Sequence, residues 1–164
     1  MPILDPSTVE FFSRSPDQTR RVGMRLGALL QPGDLVCLCG DLGAGKTTLV
    51  QGIAQGWGSL DAVSSPTFVL CNLYRRPDGH ALNHLDAYRL QSALEAEELD
   101  LDQMLDYGAL VVEWPDRIRS ALPQTCLWVD LRWMAEEQRG MVFTPHGARY
   151  ETLVNEFRRR VYGG

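Results

Sequence analysis

Short apolar runs alternate along the chain with segments in which apolar residues recur at helical spacing. Residues 34–39 are almost entirely apolar, which is typical of a strand buried on both faces of a sheet. Further strands are predicted at residues 68–74, 81–85, 109–112, 126–131 and 141–144. Helices are predicted at residues 16–30, 46–55, 90–105 and 150–161. Strands and helices that alternate in this way favour an α/β domain.

Capping and turn residues support several of these boundaries. Ser15, Pro16 and Gln18 form the start signal of a helix, with Ser15 as the N-cap. Pro77-Asp78-Gly79 predicts a hairpin turn between two of the strands, so the sheet has some antiparallel character. We therefore assign residues 1–164 to one domain with a central mixed β-sheet flanked by helices. Residues 1–14 receive no element.

A glycine-rich segment follows the strand at residues 34–39. It reads GDLGAGKT and fits the P-loop pattern G-x-x-x-x-G-K-[ST]. Glycines let the backbone aim its N–H groups at phosphate oxygens, and the helix that follows adds its positive dipole end. Lys46 is the only lysine among the 16 basic residues, and its compact ammonium suits a phosphate cradle better than a guanidinium. The predicted nucleotide-binding residues of the segment are Gly43, Ala44, Gly45, Lys46 and Thr47.

Enzymes with a P-loop also hold magnesium with an acidic residue at the end of a neighbouring strand. Glu113 and Asp86 both follow predicted strands and both meet this requirement. The hydroxyl of Thr47 is the expected magnesium ligand from the P-loop itself. Either carboxylate taken alone is equally consistent with a surface or capping role. Next to a P-loop, one of the two is expected to serve the metal.

Two further segments have both a functional and a structural interpretation. Residues 65–68 read SPTF and lie about 20 residues beyond the P-loop, where related proteins carry a phosphate-sensing switch. The same four residues also suit a turn that enters a strand. Trp114 either packs in the core or covers the nucleotide.

Composition and charge restrict the classes of function. A net charge of −5 argues against broad, non-specific binding of nucleic acid. No apolar run approaches the ~20 residues that span a bilayer, and the N-terminal residues lack the pattern of a secretion signal, so we expect a cytoplasmic protein with no membrane partner. The four cysteines and three histidines are too scattered to suggest a zinc site, and we expect reduced thiols in the core.

Four motifs in this order closely resemble the bacterial TsaE (YjeE) family. They are GDLGAGKTT at residues 40–48, SPTF at residues 65–68, H-x-D-x-Y-R-L at residues 84–90 and EW at residues 113–114. The resemblance implies an ATPase needed for the threonylcarbamoyl modification of adenosine beside the tRNA anticodon. It also implies a P-loop sheet with mixed strand directions. The family's partners are TsaB and TsaD, and tRNA is expected to be reached only through that complex.

The resemblance also implies roles for single residues, with ATP or ADP and Mg²⁺ as cofactors. Lys46 and the loop amides would bind phosphates, and Thr48 would contact the α-phosphate. Thr47 and Glu113 would bind magnesium, and Asp86 would be a catalytically important acid near the metal. Thr67 would belong to the switch. The implied catalytic residues are Lys46, Asp86 and Glu113, and the implied nucleotide contacts extend to Thr48, Thr67 and Trp114.

Three rival classes can be weighed on the same residues. A GTPase needs an N-K-x-D loop to bind its base, and a chain whose only lysine is Lys46 has none. A small-molecule kinase needs an acceptor pocket, for which the short connections leave little room. A non-catalytic nucleotide-dependent assembly factor is the better rival, because no glutamine or arginine can be assigned to the transferring phosphoryl group. For the same reason we expect an ATPase that is weak alone and activated by its partners.

Overall fold

Seven strands form one sheet in the computed structural model, which describes residues 7–40, 45–61, 71–90, 92–97 and 99–162. The strands are β1 (Val9–Ser13), β2 (Leu35–Cys39), β3 (Cys71–Arg75), β4 (Ala81–Asp86), β5 (Gly108–Glu113), β6 (Cys126–Ala135) and β7 (Gln138–His146). The α-helices are α1 (Pro16–Gly27), α2 (Lys46–Trp57), α3 (Ala93–Glu97), α4 (Leu101–Tyr107) and α5 (Ala148–Tyr162). Two 3₁₀ helices cover Ala87–Arg89 and Pro115–Ala121. No helix among the described residues is long and apolar enough to cross a membrane.

The strand order is β1-β7-β6-β2-β5-β4-β3. The four strands β4, β5, β2 and β6 run parallel, so their carboxyl ends meet at one edge of the sheet. The outer strands β3, β7 and β1 pair antiparallel with their neighbours. The predicted mixed sheet and the predicted hairpin, which joins β3 to β4, are therefore confirmed.

Each face of the sheet has its own hydrophobic core. Val36 and Val111 point to the face covered by α1, α2 and α5, whereas Cys37 and Val112 point to the opposite face. This alternation explains why the central strands are apolar at nearly every position. Of the central strands, β5 is buried along its whole length, and β2 at every position except Cys39.

Helices α1 and α2 pack unusually close together. A Cβ atom added at Gly27 would lie 2.0 Å from the carbonyl oxygen of Ile53, and one added at Gly52 would lie 2.0 Å from the carbonyl oxygen of Arg20. Only glycine permits this approach of two backbones. The contact holds α2, the helix that follows the P-loop, closely against α1.

The structure corrects two predictions. Residues 9–13 form β1, an edge strand that pairs with β7 although no element was predicted there. The helix predicted over residues 90–105 is instead broken into α3 and α4, because Asp100 adopts a left-handed conformation and its carboxylate caps α4 by accepting from the Gln103 N–H. Leu94, an apolar residue of α3, is 71% exposed.

Other predictions hold with changed boundaries. Helix α2 continues to Trp57 and ends at Gly58, whose φ of 96° suits glycine. Strands β6 and β7 are longer than predicted and form an extended hairpin. The four cysteines are free thiols, with Cys37 and Cys126 buried and Cys39 and Cys71 partly exposed. The start of the strand predicted at residues 68–74 lies outside the described residues.

Candidate nucleotide-binding site

Four acidic or polar positions meet where the parallel strands end. In the register of the sheet, Asp86 of β4 pairs with Glu113 of β5, and Glu113 pairs with Leu38 of β2. On the other side of β2, Cys39 pairs with Asp130 of β6. Ligand sites of open α/β sheets lie at this edge. The two acids predicted from the sequence are therefore adjacent, and Asp130 is a third acid that the sequence analysis did not single out.

Helix α2 begins at the same edge, directly after β2 and the P-loop. Gly45 is its N-cap with a φ of 97°, a left-handed conformation that glycine adopts without strain. Because glycine has no side chain, the N–H groups of the first turn receive no side-chain hydrogen bond from the N-cap. Lys46 is the first helical residue, followed by the half-buried Thr47 and Thr48. Gly43, Ala44 and Thr67 lie outside the described residues.

The Lys46 side chain is almost completely buried, with 6% of its surface exposed. Its ammonium nitrogen lies 4.0 Å from the centre of the Trp114 ring. Trp114 adopts a left-handed conformation at φ 57° directly after Glu113, and its ring packs against Tyr88 at 5.1 Å. Burying an ammonium is costly, and the face of an indole ring compensates part of that cost. Trp114 thus contacts both the core and the lysine of the P-loop.

Glu113 is 7% exposed and is held by a buried histidine. Its Oε2 lies 2.6 Å from Nε2 of His84, a residue of β4 with no exposed surface. The carboxylate of Asp86 is more open: the residue is half-buried, and its Oδ1 accepts from the N–H of Tyr88 at 2.9 Å, which caps the first 3₁₀ helix. The two adjacent acids therefore differ in environment, one enclosed and one facing outward.

Charges from several elements act on Cys39, the last residue of β2. Burial and the carboxylates of Asp130 and Asp116 raise the pKa of its thiol to about 12, while the Lys46 ammonium opposes them. The thiol is therefore protonated and unreactive at neutral pH. The same interactions show that the lysine and the two aspartates share one electrostatic environment.

The β6–β7 hairpin brings an arginine to the P-loop. A small cavity of about 30 Å³ is lined by Pro16, Thr19, Gly45, Thr48, Glu137 and Arg139. The Arg139 side chain packs near Gly45, and its Nη1 donates to the hairpin carbonyls of Glu136 and Gln138 at 2.7 and 3.0 Å. Its Nε is buried and has no hydrogen-bond partner among the described residues. Neither Arg139 nor the β6–β7 hairpin was predicted from the sequence to lie beside the P-loop.

The oxygen donors at this edge of the sheet are compatible with magnesium, which does not require a cluster of three or more protein ligands. Within the described residues, no group of three or more His, Cys, Asp or Glu side chains is placed to hold a metal ion. Mg²⁺ commonly takes only one or two protein oxygens and fills its remaining positions with water and phosphate. The hydroxyl of Thr47 at the start of α2 and the carboxylate of Glu113 at the end of β5 are oxygen donors of that kind.

A larger cavity lies elsewhere in the molecule. It has a volume of about 380 Å³ and lies between β2, β6 and the second 3₁₀ helix. Its lining residues are Cys37, Arg119, Leu122, Pro123, Gln124, Cys126, Trp128 and His146. None of them is a residue that the sequence assigned to phosphate or metal. The cavity is therefore separate from the edge where the P-loop ends.

Comparison with known proteins gives consistent matches over most of the chain. Residues 13–141 match the family model described as "Threonylcarbamoyl adenosine biosynthesis protein TsaE". The tRNA threonylcarbamoyladenosine biosynthesis protein TsaE of Bacillus subtilis is 39% identical over 147 residues, which cover 88% of this chain and 90% of the relative. The protein of the same name from Streptomyces coelicolor is 42% identical over 144 residues, covering 81% and 94% of the two chains.

A solved structure agrees with this relationship. The crystal structure of Bacillus subtilis YdiB superposes with a TM-score of 0.78 and 33% sequence identity. The superposition covers 94% of this chain and 96% of YdiB. Residues 13–141, which the family model matches, include the start of α2 and the ends of β4 and β5.

Proposed function

Because this chain belongs to the TsaE family of threonylcarbamoyl adenosine biosynthesis proteins, we propose that it is a magnesium-dependent ATPase in the synthesis of threonylcarbamoyladenosine in tRNA. Its proposed partners are TsaB and TsaD, with tRNA bound by the assembly. The observation that carries the proposal is the buried ammonium of Lys46, at the start of α2 and beside the end of β5.

Energetics favour phosphate over the indole ring as a partner of Lys46. A cation on an aromatic face gains about 0.5–2 kcal/mol, whereas a hydrogen bond to a charged group contributes about 1.5–3 kcal/mol. Phosphate also gains from the N–H groups and the dipole at the start of α2. The ammonium is therefore expected to turn from the Trp114 ring toward the β- and γ-phosphates when a nucleotide binds.

The two acids at the strand ends have different proposed duties. Thr47 and Glu113 would hold Mg²⁺, which when bound neutralises charge on the phosphate oxygens. Glu113 suits this duty because it is enclosed and fixed by His84. Asp86 is half-buried, and only one of its oxygens is used by the Tyr88 N–H. Its second oxygen is proposed to accept a hydrogen bond from the water that attacks the phosphate.

The nucleoside is proposed to lie on the side of α2 that faces the start of α1 and the β6–β7 hairpin. Thr48 lines the small cavity with Pro16, Thr19 and Arg139. Its hydroxyl is proposed to contact the α-phosphate, and the α1 start and the β6–β7 hairpin would flank the ribose and base. This arrangement assigns the triphosphate to the β5 side of the P-loop and the nucleoside to the β6 side.

Slow hydrolysis by the isolated chain follows from the same geometry. Arg139 lies against the P-loop, but its Nη1 is bonded to two carbonyls of the hairpin. We assign no group of this chain to neutralise charge on the transferring phosphoryl group. In P-loop enzymes an arginine finger from another chain raises the rate by about 10³–10⁵-fold. The TsaB–TsaD complex is proposed to complete the site.

The two rivals make different use of this site. A non-catalytic assembly factor would bind nucleotide through Lys46 equally well but would show no turnover with its partners. A small-molecule kinase would need an acceptor cavity beside the γ-phosphate, and the cavity of about 380 Å³ is lined by none of the phosphate-binding or metal-binding candidates. ATP hydrolysis in the complex therefore separates the proposed function from both.

The direct test is isothermal titration calorimetry of ADP with Lys46→Ala. Loss of one charge-assisted contact is expected to weaken binding about ten- to a hundredfold. Arg76→Ala is the matched control, because the Arg76 guanidinium lies 3.8 Å from the centre of the Trp57 ring at the far end of α2. It should leave ADP affinity unchanged. Equal affinity in the wild type and Lys46→Ala would overturn the nucleotide-binding assignment.

A further inference from the structure

His84 is the first residue of the H-x-D-x-Y-R-L motif, and it is a buried polar residue that is assigned no contact with nucleotide or metal. It lies in β4 with no exposed surface, and both of its ring nitrogens face polar groups. Nε2 is 2.6 Å from Oε2 of Glu113, and Nδ1 is 3.4 Å from the hydroxyl of Tyr74. The amide of Asn72 donates to the same hydroxyl at 3.4 Å. A polar chain therefore runs from β3 through β4 to the end of β5.

The chemistry of these groups fixes the direction of the hydrogen bonds. An ionised carboxylate can only accept, so Nε2 of His84 carries the hydrogen that Glu113 receives. In a neutral imidazole the other nitrogen is then an acceptor, and the Tyr74 hydroxyl supplies its donor. The histidine ring is thus hydrogen-bonded at both nitrogens, which restricts its rotation. Oε2 of Glu113 accepts from this fixed ring.

Resting on the proposed function, we propose that His84 is a positioning residue for Glu113. It occupies Oε2 and leaves Oε1 as the oxygen that faces the metal-binding edge. A free glutamate at the end of a strand loses rotamer entropy when it binds a metal, and a carboxylate already fixed by its neighbour loses less. Partners that orient metal ligands in this way typically change metal affinity about ten- to a hundredfold.

The register of β4 and β5 explains why His84 is the residue that contacts the Glu113 carboxylate. Asp86 is the register partner of Glu113, and His84 lies two residues earlier on the same face of β4. The imidazole therefore reaches diagonally to the Glu113 carboxylate beneath the open edge. The two acids therefore differ in their surroundings. Glu113 contacts the buried His84, whereas Asp86 is half-buried at the edge of the sheet.

Two substitutions of His84 distinguish the effect of its hydrogen bond from the effect of its volume. His84→Gln keeps an N–H donor in place of Nε2, whereas His84→Met fills a similar volume without a donor. The probe is Mn²⁺, whose free ion is measured by electron paramagnetic resonance during titration of each protein with ADP present. We expect His84→Met to bind Mn²⁺ about ten- to a hundredfold more weakly. His84→Gln should lie much closer to the wild type, and ADP affinity in EDTA should be equal in all three.

A double-mutant cycle distinguishes a positioning role of His84 from a merely structural one, because only a positioning role makes its effect on Mn²⁺ affinity depend on Glu113. On a Glu113→Gln background, His84→Met should cause no further loss of Mn²⁺ affinity, because the residue acts through the Glu113 carboxylate. Equal Mn²⁺ affinity in His84→Met and the wild type, or the same loss on both backgrounds, overturns the inference. If His84→Met does not fold, Tyr74→Phe replaces it, and unchanged Mn²⁺ affinity in that variant overturns the inference as well.

The proposed function can fail separately. If the wild type binds ADP with no enhancement of Mn²⁺ binding, the magnesium-dependent function is wrong, and the positioning role fails with it. If the wild type binds Mn²⁺ with ADP but the His84 variants do not differ, only the inference about His84 is wrong.

Discussion

The ammonium nitrogen of Lys46 and the indole ring of Trp114 are in contact, 4.0 Å apart. One residue begins α2 and the other follows β5, so the contact joins the proposed phosphate-binding side of the site to its acidic side. Any ligand that draws the lysine away changes the environment of the ring. This relationship gives the site an intrinsic optical signal.

Tryptophan fluorescence is therefore expected to respond to ADP, and Trp114→Phe should lose most of the response. The reason is that the charge next to the Trp114 ring moves when phosphate binds. Trp128→Phe is the matched control, because that ring faces Arg119 at 4.9 Å and lies beside the separate cavity. A response that persists in Trp114→Phe and vanishes in Trp128→Phe would show that the wrong ring was assigned.

Glu113→Gln is expected to lower ATP turnover about 10²–10³-fold, while ADP affinity without metal stays within about threefold of the wild type. A metal ligand acts mainly where charge develops in the transition state. Steady-state hydrolysis with the partner proteins and calorimetry in EDTA measure the two effects. Asp86→Asn should also lower turnover, through the attacking water.

Asp130→Asn provides the control for both acids. Asp130 ends β6 at the same edge but lies on the other side of β2, opposite Cys39. We expect its turnover to remain close to that of the wild type. Normal turnover in Glu113→Gln and Asp86→Asn, together with a loss in Asp130→Asn, would show that the metal binds at the end of β6 and not of β5.

The isolated chain is expected to hydrolyse ATP slowly and to be accelerated by purified TsaB–TsaD, because a partner group is proposed to complete the site. The measurement is the rate of phosphate release with and without the complex. Lys46→Ala is the control and should show no acceleration. A fast solitary enzyme with no complex formed in ADP or a non-hydrolysable ATP analogue would contradict the partner-dependent mechanism and favour the kinase.

Alkaline pH is expected to destabilise the fold through Tyr150. Burial raises the pKa of its hydroxyl to about 12, and the hydroxyl accepts from the Leu35 N–H at 2.9 Å. Its pKa in the unfolded chain is ~10. Between these two values the folded protein keeps a proton that the unfolded chain has lost, so the free energy of unfolding falls as pH rises from about 10 to 12.

Urea unfolding of Tyr150→Phe at pH 8 and pH 11 checks this sign. The variant should be less stable at pH 8 by about 1 kcal/mol, because the buried Leu35 N–H loses its acceptor. Its decline toward pH 11 should be shallower than that of the wild type. Tyr107→Phe, at a residue that is 67% exposed, should decline as the wild type does. A parallel decline in Tyr150→Phe and the wild type would exclude Tyr150 as the cause.

The sequence alone identified those parts of the site that depend on neighbours along the chain. A buried strand, a glycine-rich turn and a helix that begins at Lys46 are consecutive, so their pattern is legible in a single segment. Glu113 and Asp86 were recognised because each directly follows a predicted strand. The same local reasoning failed at residues 90–105, where Asp100 competes for the backbone and breaks the helix.

Only the tertiary structure decided which of these segments meet. The contact of His84 with Glu113 joins residues 29 positions apart, and it exists because β4 and β5 pair in parallel with one particular register. A period of two along β4 puts His84 and Asp86 on one face, but it does not say which strand lies beside them. Arg139 reaches Gly45 because β6 and β7 extend as a long hairpin past the P-loop. Local residue patterns determine helices, strands and turns, whereas register and packing between distant strands are set by burial in the whole molecule.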